Sequence, residues 1–535
     1  FDVEPGKLDD NGDESLTTGD KAALTDGETN EQDPGLRTPV SGDGPPPSGE
    51  TPGDDPQPQR VLVGQMPAQV RDGSEVSLIV HIARSVPVGP RTRSTLMKPW
   101  PIPADGSDVT VVVHADNGLI PLGPVQQVIR VPASSDSDPV RFAFRASQVD
   151  VSRVEVTTWA GGKYLAKLTF EVSVTDRGPN LEPTTKVATV NDVDPEAGAV
   201  TLQIHHADGR YTFQLHNDQC VYDPVMVAVE AGADGVLSRA RETLRRFAMD
   251  TKTPPYSPAV AREWLQNTGV GLWNSIVPEA IREQYLQLHS RISTFSIATG
   301  NDALPWELLY PMTKTHDAGF LVDQFPVTRT VFNTDRSRRI NLGGARFVEA
   351  ARSPANASAE FKAIGRIVAP GQELTVVNNL NDLLHLFASG EAGLTHFACH
   401  ATYRNDGSGA SISMCDGDFT PMMLATAKAK ETLTAGRPLV FINACRSAGA
   451  EPYFTEMMGW AQQFLGAGAG AFVGTLWDVR STSAQNFAEE FYGRLMTGQT
   501  LGLAAMHARK AVKNDMDPTW LAYTVYGDAN ALAFQ

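Results

Sequence analysis

Leu394-Thr-His-Phe-Ala-Cys-His400 and Leu439-Val-Phe-Ile-Asn-Ala-Cys-Arg-Ser447 are two short apolar runs, each ending in a reactive side chain. Runs of this length, bounded by turn or helix signals, read as strands buried on both faces of a parallel sheet. His400 and Cys445 then stand at two strand ends. In an open α/β sheet, ligands and chemistry gather at the carboxyl ends of the strands. A thiol attacks as its thiolate, and a nearby base makes it competent. The pair therefore reads as a Cys445 nucleophile with His400 as general base, against the alternative that both are structural residues of a buried sheet.

Working outward, the same alternation continues on both sides. Strands are expected near 344–349, 374–377, 411–415 and 471–476, with helices near 357–367, 380–388, 420–430, 455–465, 482–496 and 501–513. Strands alternating with helices of this length imply parallel crossover units with helices on both faces. Upstream, helical periods cover 236–249 and 258–290, Arg291–Ile297 reads as a strand, and Leu304–Pro311 as a short helical turn. The stretch 199–215 reads as a hairpin turning at Asp208-Gly209. Its adjacent His205 and His206 point to opposite faces of a strand and cannot share one ion.

From Arg60 to about Thr175 the pattern is different. Val76–Ile82, Val109–His114, Val140–Arg145, Val151–Val156 and Lys167–Val174 are short β-branched segments separated by Gly, Pro, Asp and Ser. They imply an antiparallel, Ig-like β-sandwich, a common interaction module. Residues 1–59 are rich in Gly, Pro, Asp, Ser and Thr and hold almost no aliphatic clusters, so a disordered acidic tail or linker is expected. The expected division is 1–59 tail, 60–178 β-sandwich, 179–345 first α/β half and 346–535 second α/β half. The fold class is thus multidomain, with a mostly parallel α/β sheet flanked by helices.

Of the net charge of −17, about −11 lies in residues 1–60, where 15 Asp and Glu face 4 Lys and Arg. That argues against direct nucleic-acid binding, which needs clustered cations. No apolar run approaches the roughly 20 residues that cross a bilayer, and Phe1-Asp-Val-Glu-Pro lacks the basic and apolar regions of a signal peptide. Cys220, Cys399, Cys415 and Cys445 are too few and too irregularly spaced for a disulfide framework, so a reducing cytoplasm is expected. Cys399, His400, Cys415 and Cys445 lack the spacing of a zinc site, and no metal or cofactor is expected.

Several motifs together resemble one family. His400 closing one strand and Asn443-Ala-Cys445-Arg-Ser closing another resemble the His and Gln-Ala-Cys-Arg-Gly elements of caspase-like cysteine peptidases. Phe472–Val479, Phe487–Leu495 and Leu503–Lys510 resemble the C-terminal signature of CHAT-domain proteins, the caspase-type branch related to separases. Gly271–Pro278 and Leu304–Leu309 are similar to that family's N-terminal half. The resemblance covers about residues 190–535 and implies a caspase-like α/β fold, a non-catalytic first half, and a His400–Cys445 dyad in a cysteine endopeptidase. It also suggests a protein substrate, a regulatory protein partner held by the β-sandwich, and a role in prokaryotic defence or programmed cell death. The different-class reading is a catalytically silent CHAT-like scaffold or adaptor, and a third is an acyl hydrolase using Cys445.

The backbone N–H groups of Ala401 and Cys445 are the expected oxyanion-hole donors. Ala401 and Ser447 stand where the caspase-type motifs carry Gly. Asp406, Asp416, Asp418 and Asp478 are the acidic residues expected near the cleft, and Asn443 is a further pocket candidate. An Asp at the pocket floor would favour Arg or Lys before the scissile bond, although Asp416-Gly-Asp418 also reads as a turn and Asp478 as a helix cap. His396 and Cys399 are expected in the core. The Gly- and Ser-rich segment Ala401–Gly417 is expected to form a mobile cleft wall.

Overall fold

The computed structural model describes residues 60–84, 100–116, 118–178, 182–191, 196–207, 210–228, 257–300, 304–334, 336–399, 401–404, 409–444, 457–477 and 479–535. The tail 1–59, the helical period at 236–249 and the turn Asp208-Gly209 lie outside them.

Ten strands come first: β1 Val61–Pro67, β2 Gln69–Arg71, β3 Glu75–Ala83, β4 Ser107–Ala115, β5 Leu119–Pro121, β6 Gln126–Val131, β7 Val140–Ala146, β8 Val151–Ala160, β9 Lys163–Thr175 and β10 Pro183–Thr189. In β3 the side chains alternate, with Val76, Leu78, Val80 and Ile82 buried. That period of two is what one core-facing surface dictates. The strands make two five-stranded sheets, ordered β10-β1-β3-β7-β5 and β2-β9-β8-β4-β6. Leu78, Val80, Phe142 and Phe144 from the first and Val111, Val156, Leu168 and Phe170 from the second share one core. The expected division after residue 178 falls short of β10, which pairs with β1 from Val61↔Thr189 to Pro67↔Pro183.

The remaining strands are β11 Ala199–Ala207, β12 Arg210–His216, β13 Val225–Ala228, β14 Thr294–Thr299, β15 Val327–Thr330, β16 Arg339–Asn341, β17 Arg346–Glu349, β18 Thr375–Val377, β19 Thr395–Cys399, β20 Ala401–Arg404, β21 Gly409–Ser413, β22 Asp418–Phe419, β23 Leu439–Ala444, β24 Ala471–Thr475, β25 Tyr523–Tyr526 and β26 Leu532–Phe534. Eleven of them form one sheet, ordered β13-β12-β11-β14-β15-β25-β24-β23-β19-β17-β18. Most neighbours are parallel. β25 is the exception at the seam, antiparallel to β24 and parallel to β15, and it joins the two halves into one sheet.

The principal helices are α1 Pro258–Ile276, α2 Glu279–Leu288, α3 Ala357–Val368, α4 Leu380–Ser389, α5 Met457–Gly466, α6 Ser481–Met496 and α7 Leu501–Val512. The single period expected at 258–290 is two helices, because Pro278 offers no N–H to continue α1 and instead opens α2. The helix expected at 420–430 opens with a tighter turn at Pro421–Leu424 before Ala425–Lys430. In the second half, Phe397, Ile442, Trp460 and Phe464 form the core on one face of the sheet, while Phe361, Phe441, Phe487 and Phe491 fill the other. All five residues of β19 are buried, as a strand covered on both faces requires.

The first two sheets also pack on this α/β sheet. Trp159 and Tyr164, at the β8–β9 turn, share a small core with Ala298 of β14, and Phe332 packs against it. Lys163 Nζ lies 2.6 Å from Glu196 Oε2 and 3.8 Å from Asp528 Oδ1, close to the end of β25. No helix among the described residues is long and apolar enough to cross a membrane.

Candidate active site

β19 and β23 are adjacent and parallel, in register from Thr395↔Val440 to Cys399↔Ala444. Their last paired residues immediately precede His400 and Cys445 in the chain. His400, Cys445, Asp406 and Asp478 themselves lie outside the described residues. What the structure describes is the frame that leads to the first two: two strands about 4.8 Å apart, ending at the same register position.

A buried polar network lies on the face of the sheet covered by α3 and α6. Glu360 of α3, His396 of β19, Asn443 of β23, Tyr492 of α6 and Tyr523 of β25 are each 0% exposed. Asn443 Nδ2 donates to Glu360 Oε1 at 2.7 Å, and His396 Nε2 lies 2.8 Å from the same oxygen. On the far side of the imidazole, Nδ1 lies 3.0 Å from the Tyr492 hydroxyl. The Tyr523 hydroxyl donates to Asn443 Oδ1 at 3.0 Å. Placing the ring proton on Nε2 gives the carboxylate two donors and leaves Nδ1 to accept from Tyr492. Burial, with the Glu360 carboxylate adding to it, holds the Tyr492 hydroxyl well above its ordinary range, so it stays a donor.

This network corrects one expectation. Asn443 does not line a pocket: its amide is fully buried, and both ends are engaged by Glu360 and Tyr523. His396 is a core histidine with both ring nitrogens in hydrogen-bond range of partners, and Cys399 is buried against the opposite face with Phe397. The reading of the sequence missed Glu360, Tyr492 and Tyr523. Glu360 left a signal, since it interrupts the apolar stripe of α3 formed by Ala357, Phe361, Ile364 and Val368.

The other candidates have local partners. Asp416 Oδ1 accepts from the Leu380 N–H at 2.6 Å, at the start of α4, and this bond holds its carboxyl below the usual range. Asp418 Oδ1 accepts from Ser413 Oγ at 2.7 Å, and the Met414 N–H donates to the Gly417 carbonyl at 2.7 Å. The Asp416-Gly-Asp418 stretch is therefore a turn tied to α4 and β21. Ala401 opens β20 opposite Ile412. The segment Ala401–Gly417 is not a loose wall in its described part: β20, β21 and β22 form an antiparallel sheet, and Ala410, Ile412 and Met414 are buried. Residues 405–408 lie outside the described part.

Apolar residues of the described motif stretches at 271–278, 304–309 and 472–477 are explained by packing. Leu272, Trp273, Trp306, Leu308, Leu476, Trp477 and Val479 belong to one core under the first half, so segments far apart in the sequence meet there. Residues 267–528 match the family model of the CHAT domain. These residues form a CHAT domain. The CHAT domain takes in α2, the seam strand β25 and both strands that lead to His400 and Cys445.

Among solved structures the chain is similar to the separase–securin complex of Saccharomyces cerevisiae, at 12% identity over 61% of this chain and 30% of that chain, with a TM-score of 0.38. It thus spans less than a third of the separase structure. It is also similar to the Arg-specific cysteine proteinase gingipain R of Porphyromonas gingivalis, at 12% identity over 56% of this chain and 76% of that chain, with a TM-score of 0.35. A CARDB domain from Pyrococcus furiosus matches at 15% identity over 22% of this chain and 99% of its own, with a TM-score of 0.15. No curated protein matches the chain.

Proposed function

We propose that the CHAT domain is a cysteine endopeptidase in which Cys445 is the nucleophile and His400 the general base. The observation that carries the reading is the Cys399↔Ala444 register of β19 and β23, which ends two neighbouring strands one residue short of the histidine and the cysteine. The Cys445 thiol gives its proton to His400, and the sulfur adds to the scissile carbonyl. The N–H groups of Ala401 and Cys445 receive the developing oxyanion. Imidazolium then protonates the leaving amine, and water releases the acyl group from sulfur with His400 again as base. Asp478 gives the pocket its preference for Arg or Lys. In this reading residues 179–345 are the non-catalytic half and 346–535 the catalytic half. The two N-terminal sheets hold a regulatory protein partner, and the acidic segment 1–59 is a disordered tail. A cytoplasmic role in prokaryotic defence or programmed cell death goes with this proposal.

The test is cleavage of a fluorogenic peptide library by the wild-type chain beside Cys445→Ala and His400→Ala. Cleavage abolished in both variants is expected. Cleavage that persists in both removes the dyad, cleavage of thioesters but not peptides favours an acyl hydrolase, and no cleavage under any partner or ion condition favours a binding scaffold.

A further inference from the structure

We infer that Glu360 is a positioning residue for Cys445 and His400, an inference that rests on the dyad reading above. A single oxygen, Glu360 Oε1, takes one contact from each strand that leads to the dyad: Asn443 Nδ2 at 2.7 Å and His396 Nε2 at 2.8 Å. Asn443 stands two residues before Cys445, and His396 four before His400. The Glu360 side chain enters from α3, which lies under the sheet, and its Oε2 has no partner among the described residues. Oε1 is therefore the shared anchor. At the other end of each side chain, Tyr523 of the seam strand β25 holds Asn443 Oδ1, and Tyr492 of α6 holds His396 Nδ1.

Backbone pairing alone sets which residues of β19 and β23 face each other. It does not by itself fix the twist and tilt of the last described pair, Cys399↔Ala444. Side chains clamped from below on the same two strands remove that freedom. Reactive groups must be held within a fraction of an ångström, and a misplacement of about 1 Å lowers rate by about 10²-fold. A buried acceptor joining both strands is a direct means of holding them. The role belongs to the acceptor geometry, so an amide with an oxygen in the same place substitutes for the carboxylate.

The experiment compares the wild-type chain with Glu360→Gln, Glu360→Ala, Asn443→Ala and His400→Ala. Two readouts are taken: kcat and KM on a cleaved peptide, and the rate of Cys445 alkylation by iodoacetamide across roughly pH 5–9. Near-UV circular dichroism reports folding. Expected are a fall in kcat of about 10²-fold with little change in KM for Glu360→Ala and Asn443→Ala, and a Cys445 reactivity profile moved toward that of His400→Ala. Glu360→Gln is expected to keep the wild-type profile. If Glu360→Ala does not fold, Asn443→Ala carries the comparison. A folded Glu360→Ala or Asn443→Ala with the wild-type profile, beside a His400→Ala that has lost it, overturns the positioning role and leaves the dyad standing. A Glu360→Gln as impaired as Glu360→Ala overturns the acceptor role. A His400→Ala with the wild-type profile removes the dyad and this inference with it.

Discussion

Arg329 and Glu307 form a two-pronged ion pair sealed inside the protein, with Nε donating to Oε1 at 2.9 Å and Nη2 to Oε2 at 2.6 Å, and side chains 1% and 2% exposed. Arg329 of β15 pairs with Tyr526 of β25, so the ion pair lies at the seam between the two halves. The Glu belongs to Leu304-Pro-Trp-Glu-Leu-Leu309, and its place there has a physical reason: it neutralises the one cation that β15 buries at the seam. Removing either partner leaves a buried charge without compensation. We expect Glu307→Ala or Arg329→Ala to lower unfolding free energy by about 3–5 kcal/mol in urea titrations, and the double change Glu307→Leu with Arg329→Met to recover most of it. Single variants as stable as wild type would count against the seam role.

Acid should loosen the contact between the first two sheets and the α/β sheet. Burial pushes the His114 imidazole down to about 3, with stacked His205 adding to the effect, and burial pushes His216 down to about 3, with His114 adding. Burial would raise Glu155, but hydrogen bonds from His205 and Lys167 and their charge hold it down to about 2. The unfolded chain takes up a proton at each histidine below about pH 6.5 while the folded chain does not, so stability falls as pH falls from about 6.5 toward 3. Each histidine accounts for about 2 kcal/mol between pH 7.5 and 5. Glu155 acts in the same direction lower down, its contribution lost as pH falls from about 4.5 toward 2. Urea unfolding at a series of pH values should show this slope, and His114→Gln with His216→Gln should flatten it. An unchanged slope in the double variant would remove these residues as its source.

Much of the α/β sheet was legible because apolar runs such as Leu439–Ile442 leave little choice but a strand covered on both faces. β25 was not legible. Tyr523-Thr-Val-Tyr526 directly follows a short helical turn at Thr519–Ala522 and lacks a breaker between them. Only its pairing with β24 and β15 makes it a strand. β10 escaped for a similar reason, since none of its seven residues is fully buried and its hydrogen bonds to β1 decide its place. At the site, the strands that precede His400 and Cys445 were legible as apolar runs, whereas Asn443 was read as a pocket residue. Its partners, Glu360 and Tyr523, lie 83 and 80 residues away in sequence, a separation that no local pattern reports. The opposite error concerned Ala401–Gly417, where small residues suggested looseness but Ile412 and Met414 anchor a sheet.

The β8–β9 turn fits its seat without room for one more carbon. A Cβ built on Gly162 would lie 2.0 Å from the Ala199 carbonyl oxygen, a backbone atom at the start of β11, while Thr201 Oγ1 donates to the Gly162 carbonyl at 2.5 Å. Backbone atoms on both sides cannot move aside as a side chain would. Gly162→Ala should therefore destabilise the protein by about 1–3 kcal/mol and raise protease sensitivity at the junction. Gly123, with nothing within 4 Å of its added carbon, is the control, and Gly123→Ala should unfold like wild type. Equal stability of the two variants would mean that the turn is not held in this seat.

The acidic candidates can be separated by substrate preference. Asp416 accepts from the first N–H of α4 at 2.6 Å, so its carboxylate is already engaged in helix capping. Asp416→Ala should lower stability by about 0.5–2 kcal/mol, the usual effect of losing a cap. It should leave the ratio of kcat/KM between Arg- and Leu-containing peptides unchanged. Asp478, in the Leu476-Trp-Asp-Val479 motif, is the residue proposed to meet the basic side chain. Asp478→Asn should lower kcat/KM for the Arg peptide by about tenfold, the equivalent of one charge-assisted hydrogen bond, and leave the Leu peptide unaffected. A preference that shifts in Asp416→Ala but not in Asp478→Asn would exchange their roles and require the β21–β22 turn to face the substrate.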